Sequence, residues 1–195
     1  CHILLKWTRE DEHCWEPYGS ASINKLFGAI NDEGQIVYWS NEAFSDTYLS
    51  RPSNEELNNF TSFKFLNNDF TKIRSKPKTS AHMGIHRNLD PLYNFSKTRL
   101  VKNLVHDLPL RTSALRTLGA FANITSSESF LNDLAFAKNI DPFKIRINHL
   151  DDERAIEVLE NLENTMKKSH AKPNNYRGIG FSRYKNSAAY CAVGV

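Results

Sequence analysis

The sequence predicts an α+β fold in which mixed β-sheet hairpins are accompanied by three helices, and three observations predict it. Apolar and polar residues alternate loosely over Ser22–Ile30, and Gln35–Ser45 is rich in the strand-forming residues Val, Tyr, Trp and Phe. Asn31–Gly34, between these runs, has the composition of a hairpin turn with glycine where a positive φ is required. The second half of the chain places apolar residues at helical spacing.

The remaining β structure is predicted from shorter runs. Strands are expected at Ile3–Trp7, Thr79–Ile85, Tyr93–Phe95 and Lys97–Leu104. Ser50–Lys78 is polar and rich in asparagine, which indicates a long connection with a short helix near Asn54–Phe60. Near the end, Lys172–Tyr176 has the composition of a linker, and Arg177–Gly180 is expected to begin a second sheet.

The three helices are predicted from apolar periodicity and from their end signals. Thr125–Lys138 carries the first helical pattern, and Asn139 follows it where a left-handed cap is common. Asp141 and Pro142 form a second start signal, because Asp caps helices and Pro suits the first helical position. Asp152–Ser169 repeats the pattern as an apolar stripe with charges elsewhere.

Composition excludes several classes of function. The chain has 195 residues, of which 40% are hydrophobic, enough for a core. No apolar run approaches the roughly 18 residues of a membrane span. The net charge is +3 without a clustered basic run, so nucleic-acid binding is not expected. The three cysteines lack metal-site spacing and are expected to be small buried hydrophobes. Because both ends lie within apolar runs and the first residue is Cys1, we expect a fragment.

No catalytic residue and no metal ligand is assigned from local motifs. The acidic run Glu10–Glu12 is expected on a strand or turn, where neighbouring side chains point apart. His82 and His86 have the spacing of a helical zinc pair, but glycine intervenes and the glutamate of a metalloprotease motif is missing. His13 beside Cys14 is not expected to form a nucleophile and base, since adjacent strand residues diverge.

Arg111–Phe121 is the segment that favours ligand binding on physical grounds. It lies between a predicted strand and the predicted helix Thr125–Lys138, and a helix N-terminus offers unpaired N–H groups and a positive dipole. Gly119 would let the backbone approach a ligand, and Arg116 can form paired hydrogen bonds with a phosphate or oxo group. The alternative is that Arg116 pairs with a surface carboxylate.

Several motifs also occur in the order in which one known family carries them. Pro109–Asn123 is similar to a P-x-R-T-x-x-x-R-x-x-G-x-x-x-N stretch, Glu128–Ala135 to an E-S-F-x-D-E-L-A helix, and Asn139–Arg146 to a G-x-D-P-x-x-x-R continuation. Thr8–Glu12 and Trp15–Ala21 resemble R-E-D-E and W-E-P-Y-G-x-A blocks. Together they resemble the molybdenum-cofactor-binding large subunit of xanthine dehydrogenase/aldehyde oxidase-type hydroxylases. Within that family the resemblance is closest to the branch of isoquinoline 1-oxidoreductase, in its β-subunit.

The resemblance implies roles for individual residues. Arg116 matches the arginine that approaches the molybdenum centre, and Gly119 belongs to the same cofactor-binding block. Leu118 matches a substrate-facing position, where it replaces the aromatic residue that stacks purines in xanthine-type enzymes. Thr117 stands where relatives often carry a smaller residue. Glu128 is expected to be structural, as a first-turn helix carboxylate near the helix dipole.

The resemblance also implies an activity, cofactors and partners. The family oxidatively hydroxylates an aldehyde or an N-heterocycle with water as the oxygen source, on molybdenum-molybdopterin commonly extended as a cytosine dinucleotide. Electrons leave through iron–sulfur clusters, expected here on a small partner subunit. Residues 1–108 would end a first cofactor-binding subdomain, and 109–195 would begin a second. The catalytic glutamate and a glycine-rich block are expected outside Cys1–Val195, so this chain alone should be inactive. The alternative is a non-catalytic scaffold or interaction domain of the same fold.

Overall fold

The chain has an α+β fold in a computed structural model that describes residues 1–48, 76–106, 108–110, 112–168, 177–184 and 190–194. Within these ranges the helices are α1 (Arg9–Trp15), a short 3-10 helix (Gly84–His86), α2 (Ala120–Ala137), α3 (Pro142–Ile147) and α4 (Glu153–Lys168). The strands are β1 (Tyr18–Gly19), β2 (Ser22–Ile30), β3 (Ile36–Ser45), β4 (Thr98–Leu104), β5 (Thr112–Ser113), β6 (Ile179–Arg183) and β7 (Tyr190–Gly194).

The main sheet has the order β2-β3-β4 and confirms the predicted hairpin. β2 and β3 are antiparallel, with Ser22 opposite Ser45. Gly34 has φ +79 in the turn between them, the conformation that glycine adopts without a steric penalty. β4 runs parallel to β3, which requires a long crossover between the two strands. β1 pairs with β5 and β6 with β7 in separate two-stranded sheets.

The helical half follows its predicted end signals, with one boundary moved. α2 begins at Ala120 and not at Thr125, so Thr125 lies inside the helix. Ser127 is buried there, and its Oγ accepts a hydrogen bond from Asn41 at 3.4 Å. Asn139 adopts the expected left-handed conformation with φ +53. Asp141 caps α3 by accepting from two backbone N–H groups of the first turn.

The main core lies between the inner face of the sheet and the helices. α2 crosses β2 at Gly28, where an added Cβ would lie 2.9 Å from the Leu134 side chain, so glycine permits the close approach. Trp39 is fully buried and stacks on Phe95 with ring centroids 4.9 Å apart. The cluster contains Ile36, Trp39, Tyr93, Leu131, Ala135, Phe143, Ile145, Ala155, Leu159, Ile179 and Phe181.

A second, smaller core lies beyond the end of β3. It contains Ala43, Tyr48, Ile85 and Leu89, with Leu118 packed against it. Because residues before and after position 108 share the main core, the two halves are packed together in the described structure. The subdomain boundary itself stays a prediction.

Some local predictions were wrong. Ile3–Trp7 is not a strand, because its apolar side chains are exposed and no described strand pairs with it. Thr79–Ile85 forms turns that lead into the 3-10 helix, and Tyr93–Phe95 belongs to no described strand, although the Asn94 N–H donates to the His149 carbonyl at 2.8 Å. The acidic residues Glu10–Glu12 lie in α1, which Thr8 and Asp11 start with a reciprocal capping box.

Other predictions have different outcomes. Cys1 and Cys14 are exposed and not buried. The predicted connection Ser50–Lys78, with its helix near Asn54–Phe60, lies outside the described residues except for its last three positions, and so does the linker Lys172–Tyr176. In the described part of the chain, no helix is both long and apolar enough to cross a membrane.

Candidate functional site

The candidate site is the segment Arg116–Gly119, which we call the arginine loop. The loop follows β5, which is held in place by its parallel pairing with β1. The Thr112 hydroxyl in β5 also donates a hydrogen bond to Asp46 at 3.0 Å. Two tight turns then shape the loop, with the Leu118 N–H donating to the Leu115 carbonyl and the Ala120 N–H to the Thr117 carbonyl, both at 3.1 Å. The loop therefore connects a short strand directly to the first turn of α2.

Two consecutive residues of the arginine loop have left-handed backbone conformations. Thr117 has φ +82 and Leu118 has φ +54. Such a conformation costs roughly 1–2 kcal/mol for a residue with a Cβ, so surrounding contacts must offset it. The side chain of Leu118 supplies one such contact, because it is partly buried against the second core.

Gly119 is buried at the N-cap of α2 and is required there by packing. A Cβ added to it would lie 2.6 Å from the Gly84 carbonyl oxygen and 2.8 Å from that of Ile85. Gly119 therefore lets the loop approach the backbone of the 3-10 helix, whereas the sequence suggested approach to a ligand. No side chain caps α2, and the N–H groups of Phe121 and Ala122 have no acceptor among the described residues.

Arg116 is exposed at the start of the loop. In the part of the chain that the structure describes, no carboxylate forms an ion pair with it, so the predicted alternative of a surface pair is not seen there. Its guanidinium and the uncapped N–H groups of the first α2 turn are all hydrogen-bond donors. They belong to neighbouring residues of the chain, and the N-terminal end of α2 carries the positive end of the helix dipole.

Both ring nitrogens of His86 have hydrogen-bond partners within the protein. His86 Nε2 donates to the Ser80 carbonyl at 2.7 Å, and Lys102 Nζ donates to His86 Nδ1 at 2.9 Å. Burial lowers the pKa of His86, and nearby Lys102 and Arg87 act in the same direction. Within the described ranges, no group of three potential ligands is placed to hold a metal ion.

The acidic and cysteine motifs are not brought together with the arginine loop. Hydrogen bonds from Thr8 lower the pKa of Asp11, which is fully exposed and serves as a helix cap. His13 contacts Glu16 at 3.3 Å on the same exposed helix. These contacts lie within α1 and its two caps, and none of them involves a residue of the arginine loop.

A buried ionic cluster beside the main core was only partly predicted. Glu128 lies in the third turn of α2, not the first, and its carboxylate accepts from Arg146 Nε at 2.9 Å, the Tyr93 hydroxyl at 2.9 Å and the Phe181 N–H at 2.7 Å. Burial raises the pKa of Glu128, while the hydrogen bonds from Arg146, Phe181 and Tyr93 oppose the rise. The predicted structural role of Glu128 thus has a different origin, and its partner Arg146 carried no spacing signal.

A cavity of about 410 Å³ lies between the end of α2, α3 and the start of β6. Its walls include Phe136, Ile140, Phe143 and Met166, with Asn132 among its polar groups. None of Arg116, Leu118 or Gly119 lines it. The cavity and the arginine loop are therefore separate features of α2.

Comparisons with known proteins give one informative similarity. No protein-family model matches the sequence. The chain is 28% identical over 195 aligned residues, 95% of its own length, to a nicotinate dehydrogenase subunit from Pseudomonas putida, and it spans 15% of that protein's length. This similarity supports a relationship to molybdenum hydroxylase-type oxidoreductases and gives no specific support to the isoquinoline branch.

Proposed function

We propose that this chain is part of a molybdenum hydroxylase large subunit that binds molybdopterin and oxidatively hydroxylates its substrate. The observation that carries the proposal is the arginine loop: Arg116 is exposed beside the uncapped start of α2, where the sequence resembles the family's cofactor-binding block. The similarity to part of an oxidoreductase, which extends along nearly the whole of this chain, supports it.

The donors of the arginine loop fit an anionic cofactor. Arg116 would hold a phosphate or oxo oxygen, since a guanidinium can donate two parallel hydrogen bonds. The N–H groups of Phe121 and Ala122 would add two donors at the positive end of α2. When bound, the molybdenum cofactor supplies the two-electron oxidation of the substrate. This chain's residues bind and orient it, and Gly119 keeps their loop seated on the 3-10 helix.

The substrate proposed here is an N-heterocycle, with an aldehyde as the second class. The similar protein is named for nicotinate, an N-heterocyclic carboxylate, which favours the heterocycle. Leu118 is partly buried against the second core. The exposed part of its side chain would form part of the wall that contacts the substrate. An aliphatic wall contributes shape and apolar contact but no aromatic stacking.

The proposal includes partners and a division of the chain. We infer a cytosine dinucleotide form of the cofactor, and a small iron–sulfur subunit that takes up the electrons. Residues 1–108 would belong to the end of one cofactor-binding subdomain and residues 109–195 to the start of the next. The catalytic glutamate would be supplied from outside this sequence, since the family resemblance implies a position beyond Val195. Glu128 would not take that role, because it is buried in an ion pair with Arg146.

A non-catalytic scaffold domain of the same fold is the second candidate. One observation favours it: packing against Gly84 and Ile85 explains Gly119 without any ligand. The two candidates differ in whether the complete protein retains molybdenum.

The test is to express the complete reading frame that contains this chain with its neighbouring genes, and to measure molybdenum by mass spectrometry. We expect stoichiometric molybdenum in the unaltered protein, its loss in Arg116→Ala, and partial retention in Arg116→Lys, which keeps charge but not the paired geometry. Arg9→Ala is the matched control, because Arg9 is an exposed arginine on α1. A well-folded protein without molybdenum would establish the scaffold instead.

A further inference from the structure

The arginine loop needs contacts that hold its unusual conformation. Thr117 and Leu118 are both left-handed without being glycine. Leu118 anchors one side of the loop in the second core, but Arg116 at the other end is exposed. β5 holds the end of the loop that carries Arg116, and the left-handed residues at the other end need contacts from the α2 side as well.

Two backbone segments are stacked beneath the loop. A Cβ on Gly84 would lie 2.7 Å from the Thr47 carbonyl oxygen, and a Cβ on Gly119 would lie 2.6 Å from the Gly84 carbonyl oxygen. The backbone after β3 thus supports the 3-10 helix, which supports the arginine loop. Such contacts fix a distance but have no direction, so they do not by themselves prevent sliding.

Asn123 supplies the directional link. Its side-chain Nδ2 donates to the Ile85 carbonyl at 2.7 Å and to the Arg87 carbonyl at 3.0 Å, while its backbone N–H donates to the Gly119 carbonyl at 3.0 Å. Its Oδ1 accepts from Asn24 Nδ2 at 2.8 Å. The residue is 1% exposed, so these bonds are shielded from competing water.

We propose that Asn123 is a positioning residue that holds the arginine loop in its ligand-binding geometry by tying the first turn of α2 to the 3-10 helix. The ligand-binding role of the loop rests on the proposed function, whereas the hydrogen bonds of Asn123 that hold the loop do not depend on it. The side chain acts through the loop and is not itself placed to touch a cofactor, because its polar atoms are all directed at protein groups.

The amide is the chemical group that this position requires. Both carbonyls below it are acceptors and Asn24 above it is a donor, so the site needs two donors and one acceptor on a short side chain. Aspartate would place an oxygen against two carbonyl oxygens. Alanine would leave both carbonyls without this donor.

The experiment is amide hydrogen exchange on the 195-residue chain, read at Leu118 and Ala120, whose N–H groups close the two turns of the loop. In Asn123→Ala we expect exchange at these two sites to accelerate by about tenfold relative to the core amide of Leu159, since three side-chain hydrogen bonds are lost. Asn132→Ala is the matched control: it lies on the same helix and loses one bond, to the Ile179 carbonyl at 3.2 Å.

Each outcome decides the proposal. Selective acceleration at the loop in Asn123→Ala, absent in Asn132→Ala, supports it, and equal acceleration throughout the chain overturns it in favour of a general stabilising role. If Asn123→Ala does not fold, the unaltered chain is used. In the unaltered chain, the Asn123 Nδ2 protons and the Leu118 N–H should have protection factors that agree to within about threefold, because one opening motion exposes both groups. Clearly unequal protection factors overturn the proposal.

A second arm separates this inference from the proposed function. Molybdenum is measured in Arg116→Ala and Asn123→Ala forms of the complete protein. Loss in both, with selective loop exchange, supports both proposals. Unchanged molybdenum in Arg116→Ala refutes the cofactor role of the loop, while the exchange result still decides whether Asn123 positions it.

Discussion

Arg146 Nε donates to Glu128 Oε2 at 2.9 Å, and the Arg146 side chain is completely inaccessible to solvent. The guanidinium also donates to the carbonyls of Pro142, Glu128 and Ile179, so its charge is surrounded by acceptors. Arg146 therefore joins α2, α3 and β6 at one point. Its energetic importance follows from burial, since neither ion can regain water if its partner is removed.

Removing one ion of this pair should be strongly destabilising. We expect Arg146→Met to lower the free energy of unfolding by about 3–5 kcal/mol, because Glu128 is left buried and uncompensated. Chemical denaturation followed by circular dichroism measures it. Arg183→Met is the control: its pair with Asp152 has the same 2.9 Å distance but is more than a quarter exposed, and its loss should cost less than about 1 kcal/mol. Equal effects of the two substitutions would refute the burial argument.

Gly119 and Gly178 provide a matched pair of glycine substitutions. In Gly119→Ala the new methyl group would meet two backbone oxygens that cannot rotate away, so we expect a loss of roughly 1–3 kcal/mol. At Gly178 nothing lies within 4 Å of an added Cβ, and alanine there should be neutral or stabilising by up to about 1 kcal/mol. Thermal unfolding of both variants gives the comparison, and a tolerated Gly119→Ala would contradict the close packing of the loop.

Local chemistry made part of this fold predictable. Gly34 and Asn139 were both expected in left-handed conformations from the residues around them, and Asp141 was expected to cap a helix; all three are confirmed. Each of these conformations depends on residues that are close together in the sequence, so a local sequence pattern is enough to predict it. The apolar run at Ile3–Trp7 had a strand pattern but no partner in the described structure, and pairing cannot be read from one strand.

The long-range contacts of the site could not be predicted in this way. The sequence placed Gly119 where the backbone could approach a ligand, but the group that packs against it is the carbonyl of Gly84, 35 positions earlier in the sequence. Glu128 and Arg146 are 18 positions apart and on different helices. Asn123 meets Ile85 across 38 positions. Such pairings follow from the packing of elements, and no periodicity in the sequence specifies them.

His86 should give the chain a specific sensitivity to acid. Burial lowers its pKa from the usual value of 6.5, so as pH falls through 6.5 the unfolded chain takes up a proton that the folded chain resists. Stability should therefore fall as pH drops below about 6.5 and level off below the folded-state pKa. The effect is small, because the ring remains partly accessible to solvent.

The measurement for His86 is the difference in denaturation midpoint between the unaltered chain and His86→Gln from pH 8 to pH 5, in steps of about half a unit. Every other histidine is present in both proteins, so the difference isolates position 86. We expect the difference in denaturation midpoint to be constant at alkaline pH. As the pH falls, the midpoint of the unaltered chain should decrease relative to that of His86→Gln, because only the unaltered chain loses the stability that depends on neutral His86. Parallel curves throughout would contradict a lowered pKa.

Replacing Thr117 by glycine should relieve the strain in the arginine loop. Thr117 has φ +82 and a β-branched side chain, whereas glycine adopts such angles freely. The relief, about 1–2 kcal/mol, is opposed by the greater entropy of glycine in the unfolded chain, about 0.5–1 kcal/mol, so a net stabilisation of up to about 1.5 kcal/mol is expected. Thr125→Gly, inside helix α2, is the control and should destabilise the chain by less than about 1 kcal/mol. Both are measured by denaturation; if Thr117→Gly destabilises the chain as much as the control does, Thr117 forms contacts that favour its strained conformation.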